Sequence, residues 1–125
     1  MSRSTFARRV FGLAALSAAL GMGAVDLRAQ DGGADVNRGR AVYERHCLAC
    51  HGVGGRGDGP EAASLRTKPA NFHRAISMLK SDEELLRVIE YGVVFSPMHA
   101  WQGKLTEGEL QDVLAYIRLL PQQSP

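Results

Sequence analysis

Cysteine is scarce in this chain: Cys47 and Cys50 are the only two. A zinc ribbon needs two Cys-x-x-Cys pairs, so a single pair excludes it. Alternating or β-branched runs are scarce as well, and none precedes Cys47. That argues against the strand-helix-strand setting in which such a pair serves as a dithiol redox motif. An excess of one charge sign is missing too. The 15 basic and 13 acidic residues differ by +2, but Arg3, Arg8, Arg9 and Arg28 lie in the first 29 residues with only Asp26 against them. The remainder holds 11 basic and 12 acidic residues, a formal −1, which gives no ground for nucleic-acid binding. Within it, residues 31–74 sum to +2 and residues 75–125 to −3. Such a polarity either orients the molecule toward a charged partner or reflects solvated helix faces.

What is present centres on Cys47-Leu48-Ala49-Cys50-His51. Two cysteines three residues apart fall on one side of a helical turn, where each can add to a haem vinyl group, and the next residue can swing its imidazole under the iron. A covalently tethered haem is the leading reading. Dithiol chemistry, a plain disulfide and a mixed zinc site with His73 or His99 are the others, although those spacings fit no common zinc finger. The 125 residues allow one small domain with a thin core. A haem would add the apolar surface that so few side chains cannot supply.

Residues 1–29 read as an export signal: a basic start, the apolar run Val10–Ala24, and small residues offering cleavage after Ala29 or, second, Ala24. The run is short for a membrane span and Gly21 and Gly23 interrupt it, so an uncleaved anchor is the lesser reading. Arg8-Arg9-Val10-Phe11 also fits a twin-arginine signal. The general secretory route suits haem attachment better, because that needs reduced, accessible thiols on an unfolded chain. Residues 30–34 are then a flexible tail and residues 35–121 the folded domain.

Asp35 is a fair N-cap for a helix toward Cys47, with Val36, Gly39, Val42 or Tyr43, and His46 on one face. Gly39 in its middle suggests close approach of another helix. Five glycines in Gly52–Pro60 satisfy a dinucleotide fingerprint only on paper, since no strand precedes them. They read better as backbone packing beside a flat macrocycle. Pro60–Leu65 forms one helical turn, and Arg66–Arg74 an extended basic loop whose cations either pair with haem propionates or face water. Ser81 with Glu84, and Thr106 with Glu109, are capping boxes. The first opens a helix with the stripe Leu85, Leu86, Val88, Ile89, ended by Gly92. The second opens one with Leu110, Val113, Leu114, Ile117, ended by Pro121. The fold class is therefore all-α, three main helices plus short turns around one covalent haem.

Val93–Trp101 has no helical period and lies between those helices. If His51 takes one face of the iron, Met98, stiffened by Pro97, is the natural ligand for the other, and His99 is its neighbouring competitor. A thioether ligand raises the potential relative to two imidazoles. Met78 reads as core, His46 as a surface or packing residue, and Trp101 as a wall of the haem pocket.

Taken together, Gly39-x-x-x-Tyr43-x-x-x-Cys47 with Cys50-His51, Gly57-Asp58-Gly59-Pro60, Lys68-Pro69-Ala70-Asn71-Phe72, Ser96-Pro97-Met98 and Leu114-Ala115-Tyr116-Ile117 resemble the class I c-type cytochromes, specifically small single-haem bacterial ones. The resemblance spans about residues 35–120 and implies the cytochrome c fold, thioethers at Cys47 and Cys50, and axial His51 and Met98. It also implies a proline carbonyl receiving the Nδ1 proton of His51, Pro69 in the first place and Pro60 in the second. First and last helices cross near Gly39 and Tyr116 in such proteins. His99 departs from the apolar residue or proline usual after the methionine, which leaves the ligand's identity open. The function expected is that of a periplasmic one-electron carrier and not an enzyme, since six ligands leave no position for a small-molecule substrate at the iron. Its partners would be redox proteins, periplasmic or membrane-bound dehydrogenases and oxidases, with membrane contact only through them or an uncleaved signal. The alternatives are an electron-accepting haem subunit of such a complex, or a small-ligand haem binder with a labile methionine. A single Cys-x-x-Cys-His excludes a dihaem peroxidase.

Overall fold

A computed structural model describes residues 33–123. The export signal over residues 1–29 and most of the tail over residues 30–34 lie outside the described residues. The chain runs through α1 (Val36–His46), α2 (Leu48–His51), a 3₁₀ turn (Ala62–Ser64), α3 (Ala75–Met78), α4 (Asp82–Tyr91) and α5 (Glu107–Gln123). Among the described residues there is no strand beyond one isolated bridge, Gln102 to Leu105. The expected all-α class with three main helices stands.

Each long helix begins where the sequence offers a cap. Asp35 accepts from the backbone N–H groups of Asn37 and Arg38 at 2.8 and 3.1 Å, satisfying donors that no helical carbonyl reaches. Ser81 and Glu84 exchange both bonds of their box, and Thr106 and Glu109 do the same. The 3₁₀ turn begins two residues after Pro60 and is shorter than expected. Pro121 does not end α5, which continues to Gln123. So near a terminus proline removes a single donor, and the Gln122 side-chain amide donates to the Arg118 carbonyl at 2.9 Å in the same turn.

Helices α1 and α5 cross at Gly39. A Cβ at that position would overlap the backbone carbonyl of Asp112, so glycine is what allows the axes to come this close. Around the crossing Tyr43 and Val113 are completely buried, and the Tyr43 and Tyr116 rings meet at 5.3 Å in a tilted pair. The Tyr43 hydroxyl donates to the Gly52 carbonyl at 2.7 Å, which ties α1 to the turn after His51. Arg118 of α5 reaches the Asp82 carboxylate at 2.7 Å and the Lys80 carbonyl at 2.5 Å, holding the start of α4.

Asp112 is the polar clamp of this crossing. Its buried carboxylate accepts from the Asp35 N–H at 2.6 Å and from Arg38 Nε and Nη2 at 2.7 and 3.2 Å. The bond to Arg38, ahead of that to Asp35, holds the Asp112 carboxyl below its ordinary range despite burial. A depressed carboxyl contributes stability that is present above the ordinary carboxylate range and is lost as pH falls through the lowered value. Asp112→Asn is therefore expected to cost about 1–3 kcal/mol at neutral pH. Urea midpoints of variant and wild type should converge on acidification below the ordinary carboxylate range.

One side chain departs from its expected place. Met78, read as core, is exposed, as are its neighbours Ile76 and Leu79. The single turn of α3 points Ser77 inward instead, so the apolar triplet sits on the outside of the domain.

Candidate haem site

Cys47 joins α1 to α2: its N–H donates to the Tyr43 carbonyl at 2.8 Å while its own carbonyl receives the His51 N–H at 2.9 Å. Cys47 and Cys50 are thereby one turn apart on one face, and His51 ends the turn. Both thiols and the His51 ring line a single cavity of about 300 Å³. Leu85, Val88 and Ile89 of α4 with Val113 and Ile117 of α5 form much of its apolar wall, and Met98 and Trp101 complete it. The stripes expected to be plain helix core therefore split: Leu110 and Leu114 are buried in protein, whereas Leu85 and Val88 remain half-exposed because they face the cavity.

The imidazole of His51 is oriented by a backbone carbonyl. Its Nδ1 lies 3.1 Å from the Ala70 carbonyl oxygen, and since a carbonyl only accepts, Nδ1 carries the proton and Nε2 keeps its lone pair. The acceptor is thus Ala70 and not Pro69, which lines the cavity one residue earlier. The glycine-rich turn explains the register. Gly57, at φ +75°, lies against the Pro69 carbonyl, where a Cβ would come within 2.5 Å, and its N–H donates to the His51 carbonyl at 2.9 Å. The close approach that glycine permits there is to the chain's own backbone, not to a macrocycle, and none of these glycines lines the cavity. Phe72 stacks on the imidazole at 4.8 Å and 14°, a support with no sequence signal beyond its place in Lys68–Phe72. Burial lowers the His51 pKa, with the Ala70 bond opposing, which keeps the ring neutral and able to ligate.

The remaining candidates sort by position. Met98 is half-buried against the core with its side chain at the cavity. His99 lines the same cavity but is exposed, its ring tilted against Trp101 at 4.4 Å. His46 packs on Trp101 at 4.9 Å. His73 is elsewhere, its Nε2 2.7 Å from the Gly54 carbonyl, so it is unavailable to a zinc site with Cys47 and Cys50. Among the described residues no three His, Cys, Asp or Glu side chains are grouped to hold a bare metal ion. Of the basic loop, Lys68 lines the cavity while its ammonium donates to the Ala62 carbonyl at 3.1 Å. Ser77 of α3 and Lys80, between α3 and α4, which the sequence did not single out, line it as well.

The thiols are set up poorly for dithiol exchange. Burial, and then the neighbouring Cys50, push the Cys47 thiol up to about 12. Burial and Glu61, whose carboxylate lies 3.7 Å from the sulfur, raise Cys50 also. Exchange-active thiols are lowered instead. An apolar slot with two thiols on one edge, one pre-oriented imidazole and one thioether matches the donor set and surface of haem c.

Comparison with known proteins agrees. Residues 34–117 match the family described as cytochrome c oxidase, cbb3-type, subunit III. The chain is 30% identical over 89 residues to the cbb3-type cytochrome c oxidase subunit FixP of Bradyrhizobium diazoefficiens, covering 70% of this chain and 28% of FixP. It is 32% identical over 84 residues to cytochrome c6 of Chlorolobion braunii, covering 67% of this chain and 89% of that protein. Among solved structures, a chain of the reducing HAO-like protein complex of Kuenenia stuttgartiensis superposes with a TM-score of 0.62 at 32% identity, over 69% of this chain and 42% of that one. This chain thus spans under a third of the length of FixP and 42% of that solved chain, but nearly all of cytochrome c6. On the match over residues 34–117 and the similarity to cytochrome c6, the chain belongs to the class I c-type cytochromes, a family whose cofactor is covalent haem c.

Proposed function

We propose that this cytochrome is an exported one-electron carrier and not an enzyme. In this reading residues 35–121 are its cytochrome c domain, Cys47 and Cys50 hold the haem through thioethers, and His51 and Met98 are the axial ligands. Pro69 and Trp101 wall the pocket. The observation that carries it is the commitment of His51 Nδ1 to the Ala70 carbonyl inside a cavity that also takes Met98. Bound there, haem c supplies a ferrous/ferric couple. His51 and Met98 would hold the iron, which would leave no place for substrate on it, and the aliphatic side chains around the cavity would limit solvent access. Periplasmic residence rests on the signal-like residues 1–29. Among the described residues no helix is long and apolar enough to cross a membrane. Its partners are then redox proteins that meet the haem edge.

Met98→Leu tests the ligand. The sulfur-to-iron charge-transfer band of the ferric protein is expected to vanish, the potential to fall, and the ferrous form to bind carbon monoxide, while Met78→Leu leaves all three unchanged. Rapid carbon monoxide binding by the unaltered ferrous protein would point instead to a labile site.

A second reading, a haem subunit of a larger oxidase or dehydrogenase complex, is favoured by the family description and by the similarity to FixP. Co-purification from the native host with a stoichiometric partner separates it from a freely diffusing carrier.

A further inference from the structure

The backbone around Met98 is held by a closed set of bonds. The Val93 N–H donates to the Met98 carbonyl at 2.8 Å, which makes residues 93–98 a loop shut at its base. Gly92, at φ +71°, sits under that closure, where a Cβ would come within 2.5 Å of the Met98 carbonyl oxygen. Inside the loop the Ser96 N–H donates to the Val93 carbonyl at 3.1 Å. The turn so formed holds Phe95 at φ +61°, a conformation that a bulky residue adopts only where its surroundings impose it. The Phe95 side chain is fully exposed, so packing of its ring does not impose it. What does is the hydrogen bonding around Ser96.

The Ser96 hydroxyl has one proton to give and lone pairs to accept with, and it uses both. It donates to the Val93 carbonyl at 3.0 Å and accepts from the Met98 N–H at 3.1 Å. Pro97, between the two, has no N–H and a fixed φ, so the Met98 N–H is the first backbone donor after Ser96. One hydroxyl therefore couples the strained turn directly to the residue whose thioether faces the cavity.

We propose that Ser96 is a positioning residue for the axial sulfur: its hydroxyl fixes the backbone of Met98 and so sets how readily the sulfur leaves the iron. This rests on the reading of Met98 as ligand. The test uses the haem-loaded full chain in its ferric form, with cyanide as the probe that captures iron when the sulfur is off. Ser96→Ala is expected to raise the rate of capture about tenfold, the scale set by one or two lost hydrogen bonds. Ser96→Thr, which restores a hydroxyl, is expected to return the rate to within about threefold of the original. Ser64→Ala serves as control, because it deletes a comparable bond, hydroxyl to the Glu61 carbonyl at 2.8 Å, outside the loop. Equal capture rates in Ser96→Ala and the unaltered protein, with the charge-transfer band present in both, overturn the proposal and leave Met98 as ligand. A rise that Ser96→Thr does not reverse overturns it also, since side-chain volume rather than the hydroxyl then governs. An unaltered ferric protein without the band overturns the ligand reading and this inference together.

Discussion

Replacing Cys47 and Cys50 together by serine is expected to give a polypeptide whose mass equals its amino acids and which does not hold its native fold. Both thiols border the cavity, and the helical turn presents them three residues apart on one face. Without a macrocycle the aliphatic side chains of α4 and α5 that wall the cavity face solvent. Apolar wall left in water forgoes roughly 25 cal/mol for each Å² that haem would cover, a large share of the about 5–15 kcal/mol that holds a small domain together. The checks are intact-mass measurement, acid-acetone extraction and a denaturant titration. Colour that survives extraction in the double variant, or an unaltered protein no heavier than its amino acids, refutes covalent attachment at these residues. A double variant unfolding with the original midpoint would show that the walls collapse without cost.

Gly39→Ala carries the second large effect. Alanine should favour an isolated helix by about 1 kcal/mol over glycine. Here the added methyl overlaps the Asp112 backbone carbonyl, and a Cβ has its place fixed by the backbone, so no rotamer relieves the contact. The helices must separate, which loosens the Tyr43–Tyr116 pair, the packing of Val113 and the Arg38–Asp112 clamp at once. The net loss is expected to be about 3 kcal/mol or more, as for overpacking that the surroundings cannot absorb. Chemical denaturation of the haem-loaded protein measures it. A variant as stable as the original would mean that the crossing can slide.

Much of this architecture is legible residue by residue. The caps at Asp35, Ser81 and Thr106 depend on neighbours within three positions, and so does the pairing of Cys47 with Cys50 along one turn. Gly39 is legible for another reason, since a glycine inside an otherwise regular helix costs stability that only close packing returns. Pro121 misleads because its penalty depends on how much helix follows. Met78 misleads because hydrophobicity alone does not say which face of a four-residue helix turns inward.

The sequence by itself determined the helical class, the helix starts and the one-turn spacing of the Cys-x-x-Cys-His stretch on which the proposed haem attachment rests, because those follow from covalent spacing and local hydrogen bonding. Only the tertiary structure decided that Ala70 rather than Pro69 orients His51 and that Leu85 and Val88 face a cavity. These depend on segments far apart in the chain being brought within about 3 Å in one register. A shift of one residue in the loop after the glycine turn replaces one carbonyl by its neighbour, and no local propensity distinguishes the two.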